Sequence, residues 1–328
     1  MLMRRIGLAC GLLIAAALPA FADSCAGNAN AIGTSRTITV DPKELPQVGT
    51  MQYRTSLPLE DHEVVLTFDD GPLPPYTNRI LDILAANCVK VDYFLVGEMA
   101  KTYPDLVRRI YNSGHVIGTH SMHHPLTFNR MNSAALASEV DDGIAAVDAA
   151  VGDPRAVAPF FRIPGLLRSN AVDTYLAEKK LAVFSADEVA DDWRHGITPR
   201  KIVALAMRRL EAKGHRGVLL LHDIHPATVL ALPMLLKALK DNGYKIVQAV
   251  PPGDRLASVP ERSAVTTAAS GASSRTVHTS APRAVSGLPI KKIAHHPRRR
   301  PRHVRYEEPE QGFGMADSGT LWPRFFWR

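Results

Sequence analysis

The chain is short of several things, and each shortage removes a class of protein. After residue 20 no apolar run is long enough to span a bilayer. Of three cysteines, Cys10 lies in the N-terminal apolar run, which leaves Cys25 and Cys88 and no disulfide framework. There is no internal repeat. The first 254 residues have no surplus of either charge, with 26 Lys and Arg against 27 Asp and Glu. The net +7 comes from the end of the chain, where 13 Lys and Arg face 5 Asp and Glu from Arg255 onward. That basic character describes a tail rather than a binding site.

Arg4 and Arg5 precede an apolar run from Ile6 to Ala20, and Ala20-Phe21-Ala22 puts small residues where a signal peptidase reads. Residues 1–22 are expected to be a signal peptide and the mature chain to be exported, periplasmic or secreted. Export permits a disulfide between Cys25 and Cys88. Cys88 also closes an apolar helical pattern, so a bond and a buried free thiol both stand open. Residues 23–59 are polar, with weak strand signals such as Thr37-Ile38-Thr39-Val40, and read as an extended lead-in packed on a main domain at 60–252. Residues 253–328 open with Ser, Thr, Ala, Pro and Gly and have too few large apolar side chains to order themselves. This disordered basic tail continues through Arg298-Arg299-Arg300 and ends in Trp322-Pro323-Arg324-Phe325-Phe326-Trp327-Arg328.

From Glu63 the pattern becomes regular. Strand-like runs at 63–68, 91–96, 115–119, 159–162, 181–185, 217–222 and 244–248 alternate with helical patterns at 77–87, 104–113, 133–151, 170–179, 198–213 and 226–242. Ser133 marks one helix start, and Thr198-Pro199 another. Strict alternation implies parallel strands joined by crossovers. The expected fold is an α/β barrel of the (β/α) kind with about seven parallel strands, imperfectly closed, and a doubly wound open sheet is the competing architecture. Either one collects chemistry at the C-terminal strand ends.

Polar side chains crowd those ends. Val64-Val65-Leu66-Thr67-Phe68 reads as a strand buried on both faces, and it runs into Asp69-Asp70-Gly71-Pro72. Neighbouring side chains on an extended backbone point oppositely, so the two carboxylates are expected to differ in surroundings, one suited to a metal and one to a base. An acidic Asp-Gly turn is also common. Gly118-Thr119-His120-Ser121-Met122-His123-His124-Pro125 sets three imidazoles within five residues. Two imidazoles with one carboxylate form a common catalytic zinc set, but spacing does not choose between His123 and His124. Arg162, after Phe160-Phe161, is either a surface charge with a buried stem or a guanidinium that orients a carboxylate. Asp191-Asp192-Trp193 and Leu219-Leu220-Leu221-His222-Asp223 close later strand runs. His115 and His215 lie at the opposite, N-terminal ends and read as structural.

Together these stretches resemble the polysaccharide deacetylases with NodB homology, a carbohydrate esterase family, from about Glu63 to Val250. Thr67-Phe68-Asp69-Asp70-Gly71-Pro72, His120-Ser121-x-x-His124-Pro125 and Leu220-Leu221-His222 match the family's first, second and last motifs. The third, Arg-x-Pro-aromatic-Gly, reads Arg162-Ile163-Pro164-Gly165-Leu166 here, which removes the aromatic wall at the place where the family's backbone N–H would help hold the oxyanion. The fourth, Asp-x-x-Asp-Trp, keeps Asp192-Trp193 but has Val189 at its first position, with Asp187 and Glu188 displaced from it. The resemblance implies a deformed (β/α) barrel and metal-dependent removal of acetyl groups, N-acetyl above all, from a glycan. It assigns Asp70, His120 and His124 to a divalent ion, which lowers the pKa of water and polarises the acetyl carbonyl. Zinc suits this set, as do cobalt, nickel and iron. It makes Asp69 the base, held by Arg162, and His222 the acid, oriented by Asp192. A deformylase or small-amide hydrolase on the same fold, and a glycan- or envelope-binding protein without turnover, are the other readings. The expected partners are a glycan substrate and, for the tail, anionic envelope polymers. Nucleic acid is not expected, because export removes the chain from it.

Overall fold

The computed structural model describes residues 25, 28–153 and 155–253. The expected signal peptide at 1–22, and all of the expected tail at 253–328 except Gly253, lie outside the described residues. The lead-in contributes strand β1 (Thr34–Thr39) and the two-residue β2 (Gln47–Val48). The alternation then runs β3 (Glu63–Asp69), α1 (Tyr76–Ala86), β4 (Asp92–Leu95), α2 (Gly97–Thr102), α3 (Pro104–Asn112), β5 (Val116–Thr119), α4 (Ser133–Val151), β6 (Val157–Phe161), α5 (Asn170–Glu178), β7 (Ala182–Phe184), β8 (Glu188–Val189), α6 (Pro199–Ala212), β9 (Gly217–His222), α7 (Pro226–Asp241) and β10 (Lys245–Val250).

Every ladder is parallel, as crossover helices require. The path β8–β9–β3–β4–β5–β6–β7–β2 curls into a deformed (β/α) barrel, and among the described residues no ladder joins β8 to β2. The barrel is thus open along one seam. β10 pairs with β1 and with the first two residues of β3. Gln248 then donates to the carbonyls of Val91 and Gly114, and Ala249 N to Asp92 Oδ2, so this strand pair lies against the N-terminal ends of β4 and β5. The lead-in is therefore part of the sheet.

The two faces of β3 divide its residues. Val65 joins an inner cluster with Phe94, Phe160, Phe184, Val218 and Ala249. Val64, Leu66 and Phe68 join the outer layer with helix residues such as Ile80, Val107 and Leu232. Each large side chain buried there contributes roughly 1.5–3 kcal/mol. Because side chains alternate along a strand, Thr67 and Asp69 share the inward face with Val65.

Thr198 caps α6, accepting from Lys201 N with Pro199 in the first turn. Helix α4 starts at Ser133, but the cap is Asn132, whose side chain accepts from Ala135 N at 2.9 Å. Helix α2 was not legible, since six residues between Val96 and Pro104 show no helical period. Cys25 and Cys88 are disulfide-bonded with Cα atoms 5.6 Å apart, tying the start of the lead-in to the loop after α1. Among the described residues no helix is long and apolar enough to cross a membrane.

Candidate active site

Strand register assembles the site. β3 and β9 pair from Val64 with Gly217 to Asp69 with His222, and Asp69 also faces Phe94 on β4. Thr119 on β5 pairs with Phe161 on β6, so His120 and Arg162 leave two adjacent strand ends at one level. Asp69, Asp70, His120, Arg162 and Asp192 are all buried, and His222 is nearly so.

Asp69 ends β3 facing inward, and its Oδ1 accepts from Arg162 Nη1 at 2.6 Å. Arg162 has no exposed surface. Its remaining donors reach Thr67 Oγ1 at 2.8 Å, the Phe184 carbonyl at 3.2 Å and the Ser185 carbonyl at 2.9 Å, and its guanidinium carbon lies 4.2 Å from the centroid of the Phe94 ring. Of the two readings, the buried, carboxylate-orienting one describes this residue. Asp70 departs from the extended path with φ 75°. This turn brings it back toward the barrel mouth, so the two carboxylates are not fully segregated. His120 Nε2 lies 3.8 Å from Asp69 Oδ2 and 3.4 Å from Asp70 Oδ1.

In the histidine loop the rings of His120 and His124 turn toward Asp70, and that of His123 does not. His120 Nδ1 lies 2.6 Å from the Arg162 carbonyl, an acceptor only, so Nδ1 donates there and Nε2 is the nitrogen turned to Asp69 and Asp70. His124 N donates to Ser121 Oγ at 3.0 Å, and His124 Nε2 lies 3.3 Å from Asp70 Oδ1. His123 turns outward, its Nδ1 2.8 Å from Glu139 Oε1 on α4. Glu139 Oε2 also accepts from Met122 N and His123 N, pinning the loop.

One ligand atom each from Asp70, His120 and His124 lies within 4.8 Å of the others. Asp70 Oδ1 is buried and has no hydrogen-bond partner among the described residues. A stable fold seldom leaves such an atom orphaned, and a bound cation would satisfy it. Two neutral imidazole nitrogens and a carboxylate fit a divalent ion with open positions. Burial raises the Asp70 pKa, but His124, His120 and His222 around it outweigh that and hold it well below the usual carboxylate range. Burial pushes the His124 pKa down, against the pull of Asp70, which favours the ligating neutral ring.

His222 Nδ1 lies 2.8 Å from Asp192 Oδ1, and its backbone N donates to Asp192 Oδ2 at 2.7 Å. Thr228 Oγ1 on α7 donates to the same Oδ2 at 2.6 Å, a contact with no sequence signal. Burial lowers the His222 pKa, but Asp192, then Asp70 and Asp69, raise it to about 10. Nε2 is left 3.9 Å from Asp70 Oδ2, facing the ligand cluster. The Trp193 ring packs edge-on to His222 with centroids 5.4 Å apart.

Around the departing motifs, Gly165 and Leu166 take left-handed φ values of 57° and 56°. Leu126 occupies the space beside Gly165, since a Cβ there would meet Leu126 Cδ2 at 3.2 Å. Asp187 faces away from the cluster and accepts from Thr50, Ser56 and Val218 N. Val189 sits half-buried in β8.

A sequence profile described as polysaccharide deacetylase matches residues 57–184. The chitooligosaccharide deacetylase of Sinorhizobium fredii is 33% identical over 204 residues, which take in 57% of this chain and 90% of that protein. The peptidoglycan-N-acetylglucosamine deacetylase of Bacillus cereus is 34% identical over 187 residues, 55% of this chain and 66% of that one. A solved peptidoglycan deacetylase of Bdellovibrio bacteriovorus superposes with a TM-score of 0.60 at 30% identity, covering 68% of this chain and 61% of that one. The match thus spans just under two thirds of the Bacillus cereus and Bdellovibrio chains.

Proposed function

Because this chain belongs to the polysaccharide deacetylase family, we propose that it is an exported, metal-dependent hydrolase that removes acetyl groups, N-acetyl above all, from a glycan. One observation carries the reading. A metal-ligand set of Asp70, His120 and His124 is flanked by two oriented pairs, Asp69 with Arg162 and His222 with Asp192.

Asp70, His120 and His124 would hold a divalent ion, and the chemistry it would supply when bound is Lewis acidity toward an acetyl carbonyl and a lowered pKa for water. Zinc suits the donors best. Asp69 takes the proton of the attacking water, and Arg162 fixes the carboxylate for that task. The amide C–N bond breaks as the carbonyl carbon gains the water oxygen. His222, protonated at Nε2 and held through Nδ1 by Asp192, gives its proton to the leaving nitrogen, so acetate and a free amine depart. The third motif has lost its aromatic side chain, yet the Gly165 N–H has no acceptor among the described residues and is available as an oxyanion donor.

The absence of that aromatic wall also supports a second reading, a deformylase or small-amide hydrolase. Purified mature protein, incubated with N-acetylglucosamine oligomers, peptidoglycan, O-acetylated glycan and formylated amino sugars, separates the two by acetate or formate release. Acetate release that stops on chelation and returns with a divalent ion is the expected result, and release of neither acid overturns both readings. The disulfide between Cys25 and Cys88 supports export. For the basic segment from Arg255 onward we propose electrostatic attachment to anionic envelope polymers, which salt screens beyond about 8 Å at physiological ionic strength.

A further inference from the structure

The proposed chemistry leaves one segment without a role, the lead-in loop between β2 and β3. It lies along the open seam of the barrel and is anchored there by one buried carboxylate. Asp187 Oδ1 accepts from Thr50 N and Thr50 Oγ1, each at 2.8 Å, while Oδ2 accepts from Ser56 Oγ at 2.5 Å and from Val218 N of β9 at 2.8 Å. From this anchor the loop reaches the third-motif turn. Gln52 Nε2 donates to the Leu166 carbonyl. The Gln52 carbonyl in turn accepts from Arg168 Nη1 at 3.2 Å. Tyr53 Oη donates to Asp173 Oδ1 at 3.1 Å, and Arg168 both stacks on the Tyr53 ring at 4.9 Å and pairs with Asp173 Oδ2 at 2.5 Å.

Within the turn that Gln52 grips, Leu166 N donates to the Ile163 carbonyl at 2.9 Å and Leu167 N to the Pro164 carbonyl at 3.1 Å, while the Leu166 carbonyl also accepts from Arg168 N at 3.0 Å. Leu166 is left-handed, which costs a residue with a Cβ roughly 1–2 kcal/mol. Gly165, also left-handed, has no side chain to anchor and adjoins the loop after His124 through Leu126. The backbone bonds shape the turn from within, and the Gln52 amide is a side-chain donor that reaches its Leu166 carbonyl from outside it.

We propose that Gln52 is a positioning residue, which by holding the Leu166 carbonyl aims the Gly165 N–H at the acetyl carbonyl oxygen. The inference rests on the deacetylase reading. A lead-in segment outside the matched strand-end motifs would then complete the site in place of the missing aromatic.

The test compares full-length, metal-loaded wild type with Gln52→Ala and the near-isosteric Gln52→Glu, which keeps the volume but cannot donate. Acetate release from an N-acetylglucosamine tetramer gives kcat and KM, metal content is measured on the same samples, and exchange of the Leu166 amide, which donates to the Ile163 carbonyl, is followed by NMR. Both variants are expected to lose about 10- to 100-fold in kcat. KM and metal content should stay within about twofold, a split that a merely structural role would not produce. The Leu166 amide should exchange faster in both. Unchanged kcat in both variants overturns the proposal, as does a loss confined to KM, which would make Gln52 a substrate contact, or a loss that follows metal content. If wild type releases no acetate, the deacetylase reading falls, and unchanged Leu166 amide exchange in the variants would separately remove the latch.

Discussion

At the scale of single residues, Arg162 couples chemistry to stability. Its guanidinium is wholly buried, and Asp69 is its only carboxylate partner among the described residues. Asp69→Asn should therefore lower turnover about 10²–10⁴-fold through loss of the proposed base. It should also cost on the order of 3 kcal/mol in chemical denaturation, because it leaves a buried charge unpaired. Asp69→Asn should still bind metal, since Asp69 is not a proposed ligand. His124→Ala should weaken binding of a divalent ion at least tenfold by calorimetry, whereas His123→Ala, which loses only the outward contact with Glu139, should bind nearly as wild type. Equal weakening by both would reject His124 as the ligand. His115 supplies a pH dependence remote from the chemistry. Burial, with a smaller effect of Lys90, pushes its pKa down to about 3, and its Nδ1 accepts from Val91 N. The unfolded chain takes up that proton below about pH 6.5, while the native chain refuses it until about pH 3. Its stabilising contribution is thus complete above pH 6.5 and declines as pH falls, by about 2 kcal/mol between pH 6.5 and 5. Denaturant midpoints for wild type and His115→Gln should converge over that interval, and parallel curves would reject the assignment.

At the scale of elements, the in-register pairing of β3 with β9 places Asp69 opposite His222, so the proposed base and acid stand at neighbouring strand ends. Helix α7 holds the Asp192–His222 pair from outside, since Thr228 in its first turn donates to Asp192. His222→Ala should slow amide substrates more than activated aryl acetates, whose leaving groups need little protonation, and equal losses on both would remove His222 from the acid role. The disulfide binds the start of the lead-in to the loop after α1, closing a separation of 63 residues. Cys88→Ser should lower unfolding stability by about 2–4 kcal/mol, read as a shift in urea midpoint. Acetate release by the folded protein should remain, because the bond lies at the N-terminal side of the barrel.

At the scale of the whole molecule, β10 ends at Val250 and the described residues end at Gly253. A chain terminated after Gly253 keeps every strand, helix and candidate site residue on the page. It should melt as the full chain does and deacetylate soluble oligomers equally. It should also lose any salt-sensitive sedimentation with isolated envelope fractions. Equal pelleting of both chains at low salt would reject the tail as an anchor, and loss of soluble activity would make it part of the catalytic unit.

The sequence by itself determined the alternation of strands and helices, the parallel sheet, and the strand ends that carry Asp69, Asp70, His120, Arg162, Asp192 and His222. Buried parallel strands are near-continuous apolar runs, and crossover helices show a 3.6-residue period, so both patterns are local. Local pattern could not choose between His123 and His124. Which ring turns inward depends on positive φ at Ser121 and His124 and on Glu139, from a helix that begins nine residues after His124. Nor could it show that Asp70 turns back toward His120, or that Cys25 and Cys88 meet. The lead-in read as loosely extended because β1 and β2 find their partners in β10 and β7, more than a hundred residues away. Such edge strands gain their stability from non-local hydrogen bonds, which leave little trace in composition. Tertiary structure alone decided that this segment closes the N-terminal end of the barrel, lines its seam and, through Gln52, touches the turn beside the candidate site.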